Sequence, residues 1–383
     1  MSATNLKFLP PALRSRNYQL FFAGQGISLI GTWMTQIATV WLVYHLTNSA
    51  LMLGVVGFTS QIPNLLLTPF GGVFADRFPR HRILIGTQIL AMMQSLTLAA
   101  LALSDVIQIW HILALSLFQG AINAVDAPAR QVFVTELVDR REDLANAIAI
   151  NSTMFNGARL IGPAIGGLLI AQVGEAYCFL IDGLSYIAVI IALLAMRLEP
   201  KQIVVLEGNP LQIIREGFDY AFNSPPIRTI LLLSSLVSLM GMQYTVLVPV
   251  FADKILHGNA QTLGFLMAGS GVGALAGGIY LVTRKTVIGL GRLMTISPAI
   301  LGVGLIIFGL SRFLPLSLLA MSAIGLGTIM QIAAGNTILQ TIVDDDKRGR
   351  VMSLYTMSFL GITPYRFYCL CWSDEVNPDF KSW

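Results

Sequence analysis

Long apolar runs separated by short polar gaps make up most of this chain. Ten complete runs lie near 18–44, 50–74, 82–104, 107–127, 146–173, 176–196, 227–251, 260–283, 291–311 and 314–338. A helix that crosses the hydrocarbon core of a bilayer needs about 20 mostly apolar residues. The pattern therefore predicts ten membrane-spanning helices, and an eleventh apolar segment begins after Arg350.

A more charged stretch, about 197–226, separates the first six runs from the others. Apolar side chains recur within it at helical spacing, at Leu211, Ile214, Phe218 and Phe222. The opposite face carries Arg215, Glu216 and Asp219. This spacing predicts an amphipathic linker helix that lies on the membrane surface.

An internal repeat supports two related halves. TELVDRRED, from Thr135, resembles QTIVDDDKR, from Gln340, and each follows an even-numbered run. Parallel repeats of this kind are typical of transporters. We expect an N-terminal bundle over 1–196, a cytoplasmic linker over 197–226 and an incomplete C-terminal bundle over 227–364.

The sequence after residue 364 changes character. By the repeat, the eleventh segment should continue like the fifth, but the chain reads YRFYCLCWSDEVNPDFKSW from Tyr365. A polar tail of this kind cannot complete a span. We expect a C-terminal truncation, with 365–383 a frame-shifted tail outside the family pattern; a natural end after eleven helices is the alternative.

Charge fixes the expected orientation. Only 11% of the 383 residues are charged, against about 25% in soluble proteins. Most Lys and Arg residues fall in alternate gaps, beginning with Lys7, Arg14 and Arg16 before the first run. Because basic loops stay on the cytoplasmic side, we expect a bacterial inner-membrane protein with its N-terminus inside. The same bias accounts for the net charge of +4 without nucleic acid as a partner.

The gap between the second and third runs holds GGVFADRFPRHR, Gly71 to Arg82. It resembles the loop motif of the major facilitator superfamily, matched at Gly72, Asp76, Arg77 and Arg80. The resemblance implies a charge cluster of Asp76 and Arg80 that latches the two halves. Asp126, with Arg130 one turn on, is expected as the third member of this cluster, at the inner end of helix four. The region near Gly349 is the expected target of the latch. The alternative is an ordinary turn whose charges serve topology alone.

The fifth run contains GARLIGPAIGG, which resembles the motif of exporters in the same superfamily. Gly162, Pro163, Gly166 and Gly167 match it, and Ala158 stands where a glycine is usual. Small residues allow helices to approach closely, and proline bends a helix. The motif indicates export. An arginine found in helix four of many proton-coupled members is absent, because Ser116 holds its position.

Arg159, in the middle of the fifth run, is the one charge near mid-membrane. A charge there costs roughly 2.5 to 3.5 kcal/mol on insertion scales, so it should face a cavity or a partner. Asp182 is the nearest carboxylate that it could reach. We expect these residues to serve coupling or substrate binding, with a structural pairing as the alternative.

Uncharged polar and aromatic residues within the runs predict an adaptable cavity for an amphipathic solute. Its candidates are Gln25, Trp33, Gln36, Gln61, Gln119, Asn123, Gln243, Tyr244 and Gln331. Any one of them could instead join two helices by a hydrogen bond. No phosphate-binding loop or metal-spaced His pair occurs, so we expect no enzyme activity, cofactor or metal. We expect no need for an oligomer.

These observations predict an all-α membrane protein with the major facilitator fold and an incomplete second bundle. The resemblance extends over about residues 10–364, and it is nearest to the branch that includes the enterobactin exporter and macrolide efflux proteins. It implies a secondary exporter of a small amphipathic molecule, such as a drug or siderophore, by proton antiport. The alternatives are a lysolipid or other metabolite carrier, a non-transporting scaffold, and an inactive truncated product.

Overall fold

The structure is a computed structural model that describes residues 11–137, 144–197, 218–241, 244–284 and 289–344. It also describes residues 347, 351, 352, 354, 355, 357 and 358. Every regular element in these parts of the chain is helical. Ten of the described segments are long and apolar enough to cross a membrane, one over each predicted run.

The first six helices form the first half of the molecule. They are α1 Arg16–Thr47, α2 Ala50–Arg77, α3 Arg80–Leu103, α4 Ile109–Glu136, α5 Leu144–Val173 and α6 Glu175–Leu194. A short turn, Pro11–Arg14, precedes α1. Within this half, α1 packs on α5 and α6, α2 packs on α4, and α3 packs on α4 and α6.

The second half contains five labelled helices. They are α7 Pro225–Gly241, α8 Tyr244–Val250, α9 Ala260–Thr283, α10 Leu290–Leu310 and α11 Leu314–Ile342. A π-helical turn, Phe251–Ile255, follows α8, and Pro225–Ile255 counts as one span. Helix α11 packs on α9 and α10. Of the predicted linker helix, only the last part lies in the described residues, as a helical segment at 218–223.

Local sequence explains where several helices begin and end. The Ser49 side chain accepts a hydrogen bond from the Met52 amide and so caps α2. At α9, the Asn259 side chain accepts from the amides of Gln261 and Thr262. Asn48 ends α1 in the left-handed conformation, with φ 51°. A connection of two residues, Asn48 and Ser49, therefore suffices to reverse the chain.

Two helices extend beyond their apolar runs, and this corrects two expectations. Helix α2 continues to Arg77, so the motif from Gly71 to Arg77 is helical and only Phe78 and Pro79 precede α3. Helix α4 continues to Glu136. Asp126 is therefore ten residues, or about 15 Å, from the end of its helix rather than at that end.

We call the end that carries Pro11–Arg14 and the α2–α3 connection the inner end, and the opposite end the outer end. One hydrophobic cluster spans both halves toward the outer end, with members such as Tyr44, Val248 and Leu263. Toward the inner end there are two separate clusters. One belongs to the first half and includes Tyr18 and Phe133, and the other belongs to the second half and includes Leu339.

Candidate functional site

A cavity of about 160 Å³ lies within the first half, between α1, α3, α4, α5 and α6. Its polar lining residues are Gln25, Ser28, Thr32, Gln88, Gln119, Asn123, Asp126, Arg130 and Tyr186. Leu29, Ala91, Ile122 and Phe155 complete the wall. The cavity therefore combines polar groups and apolar surface, which is typical of small-molecule sites.

Asp126 is the most strongly bonded group in this cavity. Its side chain is buried, and Thr87 Oγ1 and Gln88 Nε2 donate hydrogen bonds to Oδ1 at 2.7 and 2.9 Å. Arg130, one turn along α4, forms an ion pair with Oδ2. Because an isolated buried charge is very unfavourable, this pairing is what makes the carboxylate tolerable inside the bundle.

The expected cluster of Asp126 with Arg80 is not what the structure shows. Arg80 Nη1 lies 2.5 Å from Oε1 of Glu136, at the end of α4. Thr87 and Gln88 are two turns beyond Arg80 on α3, so Asp126 lies about 10 Å deeper than the Arg80–Glu136 pair. Gly72, Asp76 and Arg77 fall in the last turns of α2, and their side chains lie outside the described part of the chain.

Asp182 is also buried, but not beside Arg159. Ser95 Oγ of α3 donates a hydrogen bond of 3.0 Å to Asp182 Oδ2. A Cβ atom added at Gly31 of α1 would be only 2.8 Å from Asp182 Oδ1. Asp182 is therefore enclosed between α1, α3 and α6. The alternative of a structural pairing with Arg159 is not what the structure shows, because Asp182 points into these helix contacts.

Arg159 contacts the Trp33 ring instead. Its guanidinium carbon is 5.6 Å from the centre of the Trp33 ring, within the range of cation–π attraction. Phe155 meets Trp33 edge to face, with ring centres 5.7 Å apart. Phe155 also lines the cavity and is 46% exposed. Arg159 thus stands one turn of α5 beyond the cavity wall.

The glycines of the exporter-like motif divide between two faces of α5. A Cβ at Gly162 would meet Trp33 and Ile30, and one at Gly166 would meet Met34, so this face packs on α1. Gly167 faces α9, where a Cβ would be 2.7 Å from the Ala260 carbonyl oxygen and 2.8 Å from Gly264 Cα.

The contact between Gly167 and Gly264 joins the two halves near their outer ends. A Cβ at Gly264 would be 2.6 Å from the Pro163 carbonyl oxygen and 2.9 Å from Gly167 Cα. Such distances leave no room for any side chain. A second contact between the halves is a hydrogen bond of 2.8 Å from Tyr44 Oη to Asp253 Oδ2.

The remaining predicted cavity residues are dispersed. Gln36 is exposed on α1 and Gln61 is partly exposed on α2, while Gln243 lies outside the described residues. In the second half, Tyr244 is buried with its hydroxyl 3.3 Å from Ser270 Oγ, and Gln331 is buried in α11.

Several buried amide groups have unused hydrogen-bonding capacity. Oε1 of Gln25, Oε1 of Gln119 and both amide atoms of Gln331 find no partner among the described residues. Buried polar atoms are normally bonded, so such groups are candidates to bind water or a solute.

Sequence reasoning missed the residues that hold Asp126. Thr87 and Gln88 lie within an apolar run, and neither stood out among the polar residues of the helices. The available signal was the adjacency of two hydrogen-bond donors in a membrane helix. It indicates a polar contact but not the partner.

Comparison with known proteins gives a consistent result. A family model described as "Transmembrane secretion effector" matches residues 9–364. The staphyloferrin A transporter of Staphylococcus aureus is 26% identical over 342 residues, covering 88% of this chain and 84% of the transporter. The enterobactin exporter EntS of Escherichia coli is 26% identical over 343 residues, covering 88% and 80%.

Among solved structures, a bacterial homologue of the iron transporter ferroportin in an inward-facing state matches with a TM-score of 0.68 and 16% identity. The match covers 93% of this chain and 91% of that chain. It shows the fold alone. The predicted all-α membrane architecture of the major facilitator type is confirmed.

Proposed function

From the premise that this chain belongs to the transmembrane secretion effector family of the major facilitator superfamily, we propose that it exports a small amphipathic molecule. It is a multi-pass membrane transporter and not an enzyme. The substrate class that we propose is a drug or a siderophore-like metabolite. We place it in a bacterial inner membrane with the N-terminus cytoplasmic, because the basic gaps alternate along the chain.

The observation that carries the proposal is the polar cavity in the first half. A scaffold protein in a membrane has no need to keep Asp126 and Arg130 beside an open space, because buried charges are costly and usually functional. The scaffold alternative is therefore the weaker one. A lysolipid or other metabolite carrier would use the same kind of cavity, so it remains the second candidate.

Transport by alternating access is supported by the unequal ends of the molecule. The halves pack together at the outer end, through Gly167 and Gly264 and through Tyr44 and Asp253. At the inner end, each half has its own hydrophobic cluster. A solute would enter from the inner side in this state and leave after the outer contacts separate.

We propose proton antiport with Asp126 as the proton carrier. Protonation of Asp126 would remove the charge that holds Arg130, so the proton and a rearrangement of the cavity are coupled. The sequence predicts a gating role for Asp126 at the inner end of helix four. The carboxylate instead borders the cavity and lies deep in the bundle, and this position suits a proton carrier. Asp182 does not line the cavity that Asp126 borders, which makes it the weaker candidate.

The latch implied by the resemblance stays a proposal centred on Asp76. A carboxylate favours the N-terminus of a helix because the free amides there are positive. We expect such an end near Gly349, which lies outside the described residues. Arg80 also forms an ion pair with Glu136 of the same half.

The test uses inverted membrane vesicles that contain the full chain and are acidified inside. Radiolabelled staphyloferrin A, enterobactin and a macrolide are supplied outside, and their uptake is followed with and without a protonophore. We expect gradient-dependent accumulation of at least one compound. Asp126→Asn should abolish the response to the gradient, because an amide cannot carry the proton.

The matched control is Asp219→Asn, which removes an exposed carboxylate outside the membrane spans. It should transport like the parent. Accumulation of none of the three compounds by a correctly inserted parent protein would contradict the exporter proposal. Gradient-driven uptake by Asp126→Asn would contradict its role as proton carrier and leave export standing.

A further inference from the structure

Arg159 carries a charge that nothing in the described structure balances. No carboxylate oxygen of the described residues lies within ion-pair distance of its guanidinium. Its recorded contact is the face of Trp33. A cation at this depth is expensive, so an unbalanced one indicates a missing counter-charge.

Arg159 is also placed where a solute could reach it. It lies at the sixteenth of the 30 positions of α5, and it is partly exposed. Its helix packs on α1 through Gly162 and Gly166 and on α9 through Gly167. At 100° per residue, Arg159 lies between these two faces. Trp33 of α1 flanks its guanidinium, and a Cβ at Gly271 of α9 would be 3.0 Å from the Arg159 carbonyl oxygen.

The other charges of the neighbouring helices do not supply the counter-charge. Asp126 and Arg130 neutralise each other, and helices α9 and α11 contain no charged residue. Within α5, α9 and α11, as far as the structure describes them, Arg159 is therefore the one charged side chain, and it is positive. Its field favours an anion.

The aromatic contacts restrict how an anion can approach. The guanidinium carbon lies over the Trp33 ring, so Trp33 covers one side of the group and an anion has to approach an edge of the guanidinium that the ring does not cover. Such an edge binds a carboxylate through two parallel hydrogen bonds. Phe155, half-exposed beside Trp33, offers apolar ring surface next to that edge.

We infer that Arg159, Trp33 and Phe155 form a substrate subsite for an organic anion whose carboxylate or comparable planar anionic group is attached to an aromatic or apolar body. The carboxylate binds the edge of the guanidinium, and the body packs on Phe155. The inference rests on the proposed function and narrows its substrate class. It assigns Arg159 to substrate binding and leaves coupling to Asp126.

The experiment compares probes that share one ring system and differ in charge. The purified full chain is equilibrated by dialysis with radiolabelled 2-naphthoate or with neutral 2-naphthamide. We expect 2-naphthoate to bind about tenfold more tightly or better, as a hydrogen-bonded charge pair allows. Arg159→Gln should remove the preference, and Arg159→Lys should retain part of it because lysine keeps the charge without the fork.

Inverting the charge at position 159 should invert the charge preference of the subsite. Arg159→Glu should reject 2-naphthoate and bind 2-naphthylmethylammonium, a cation with the same ring. Arg292→Gln is the matched control, because it removes an exposed arginine at the start of α10. It should bind both probes like the parent. Elution as a single species from size-exclusion chromatography verifies that each variant is folded.

The outcomes separate this inference from the proposed function. Equal binding of the two naphthyl probes by the parent, or an anion preference that survives in Arg159→Gln, would overturn the subsite. An Arg159-dependent preference would support the subsite even if vesicles accumulate none of the tested siderophores or the macrolide. In that event, the export proposal alone would fail.

Discussion

The outer and inner ends of this molecule are held in different ways. At the outer end, α5 meets α9 glycine against glycine, and Tyr44 donates a hydrogen bond to Asp253 across the two halves. The contact between α5 and α9 continues to mid-helix, where a Cβ at Gly271 would be 2.6 Å from Leu160 Cα. At the inner end, the two hydrophobic clusters each stay within a half. The Arg80–Glu136 ion pair, likewise, joins α3 to α4.

This difference indicates which contacts transport has to break. Backbone contacts between glycines require close approach but involve little side-chain entropy, so they can form and separate without large rearrangement. Ion pairs within a half can persist through a rigid-body movement of the halves. Under the proposed alternating access, the outer end is the seal that has to open during transport.

The largest effect is expected for Gly264→Leu. The side chain would meet the Pro163 carbonyl and the backbone of Gly167, so α5 and α9 could not approach and the outer end could not close. Uptake of the exported compound into inverted vesicles should fall to the background rate. Membrane insertion should be retained, because the substitution is apolar.

Gly302→Leu is the matched control, since no atom lies within 4 Å of a Cβ at that position of α10. It should transport at the parental rate. If Gly264→Leu also transports normally, the glycine contact is not part of the outer seal.

A smaller loss is expected for Asp76→Asn at the inner end. If Asp76 latches the halves on a helix N-terminus, its loss should slow export by about tenfold, the equivalent of 1.4 kcal/mol. Initial rates in vesicles measure the effect, and quantitative immunoblotting verifies equal insertion. An unchanged rate would remove the latch and leave only a topological role for the motif.

Tyr44→Phe should raise the population of the outward-open state without stopping transport. The variant loses the hydrogen bond to Asp253 that exists only while the outer end is closed. We expect the outward-open population to rise by about threefold to tenfold, because the bond is to a charged group but lies near water. Spin labels at His45→Cys and His257→Cys, both exposed at the outer end, report the change as a longer distance.

The control for this measurement uses Cys369→Ser and Cys371→Ser in every protein, so that only the two new cysteines carry labels. Cys178 is buried and should not react. Identical distance distributions in the parent and in Tyr44→Phe would show that this bond does not contribute to outer closure.

The smallest effect is expected for Asp182→Asn. The amide has the shape of the carboxylate and can still accept the hydrogen bond from Ser95. Because Asp182 lies in helix contacts and not on the described cavity, transport should stay within about twofold of the parent, as usual for a nearly isosteric change. Loss of coupled transport similar to that of Asp126→Asn would show that both carboxylates carry protons.

The spans themselves could be predicted, and the reason is local. Whether a segment crosses a bilayer depends on its own length and apolar content, so each of the ten runs is matched by a helix. Their ends were harder to predict. Helix α4 continues through polar residues to Glu136, because helix formation does not stop where hydrophobicity does, and the depth of Asp126 was misjudged for that reason.

The amino-acid sequence is enough to predict the class of protein and the number of described spans. It also identifies residues worth examining, among them Arg159, Asp126 and the glycines of α5. The tertiary structure sets their partners. It brought Thr87 and Gln88 to Asp126, and it brought Trp33 to Arg159. The physical reason is that a polar side chain in a membrane helix must find its partner on another helix. Which helix that is depends on rotation, depth and packing, which no single apolar run encodes.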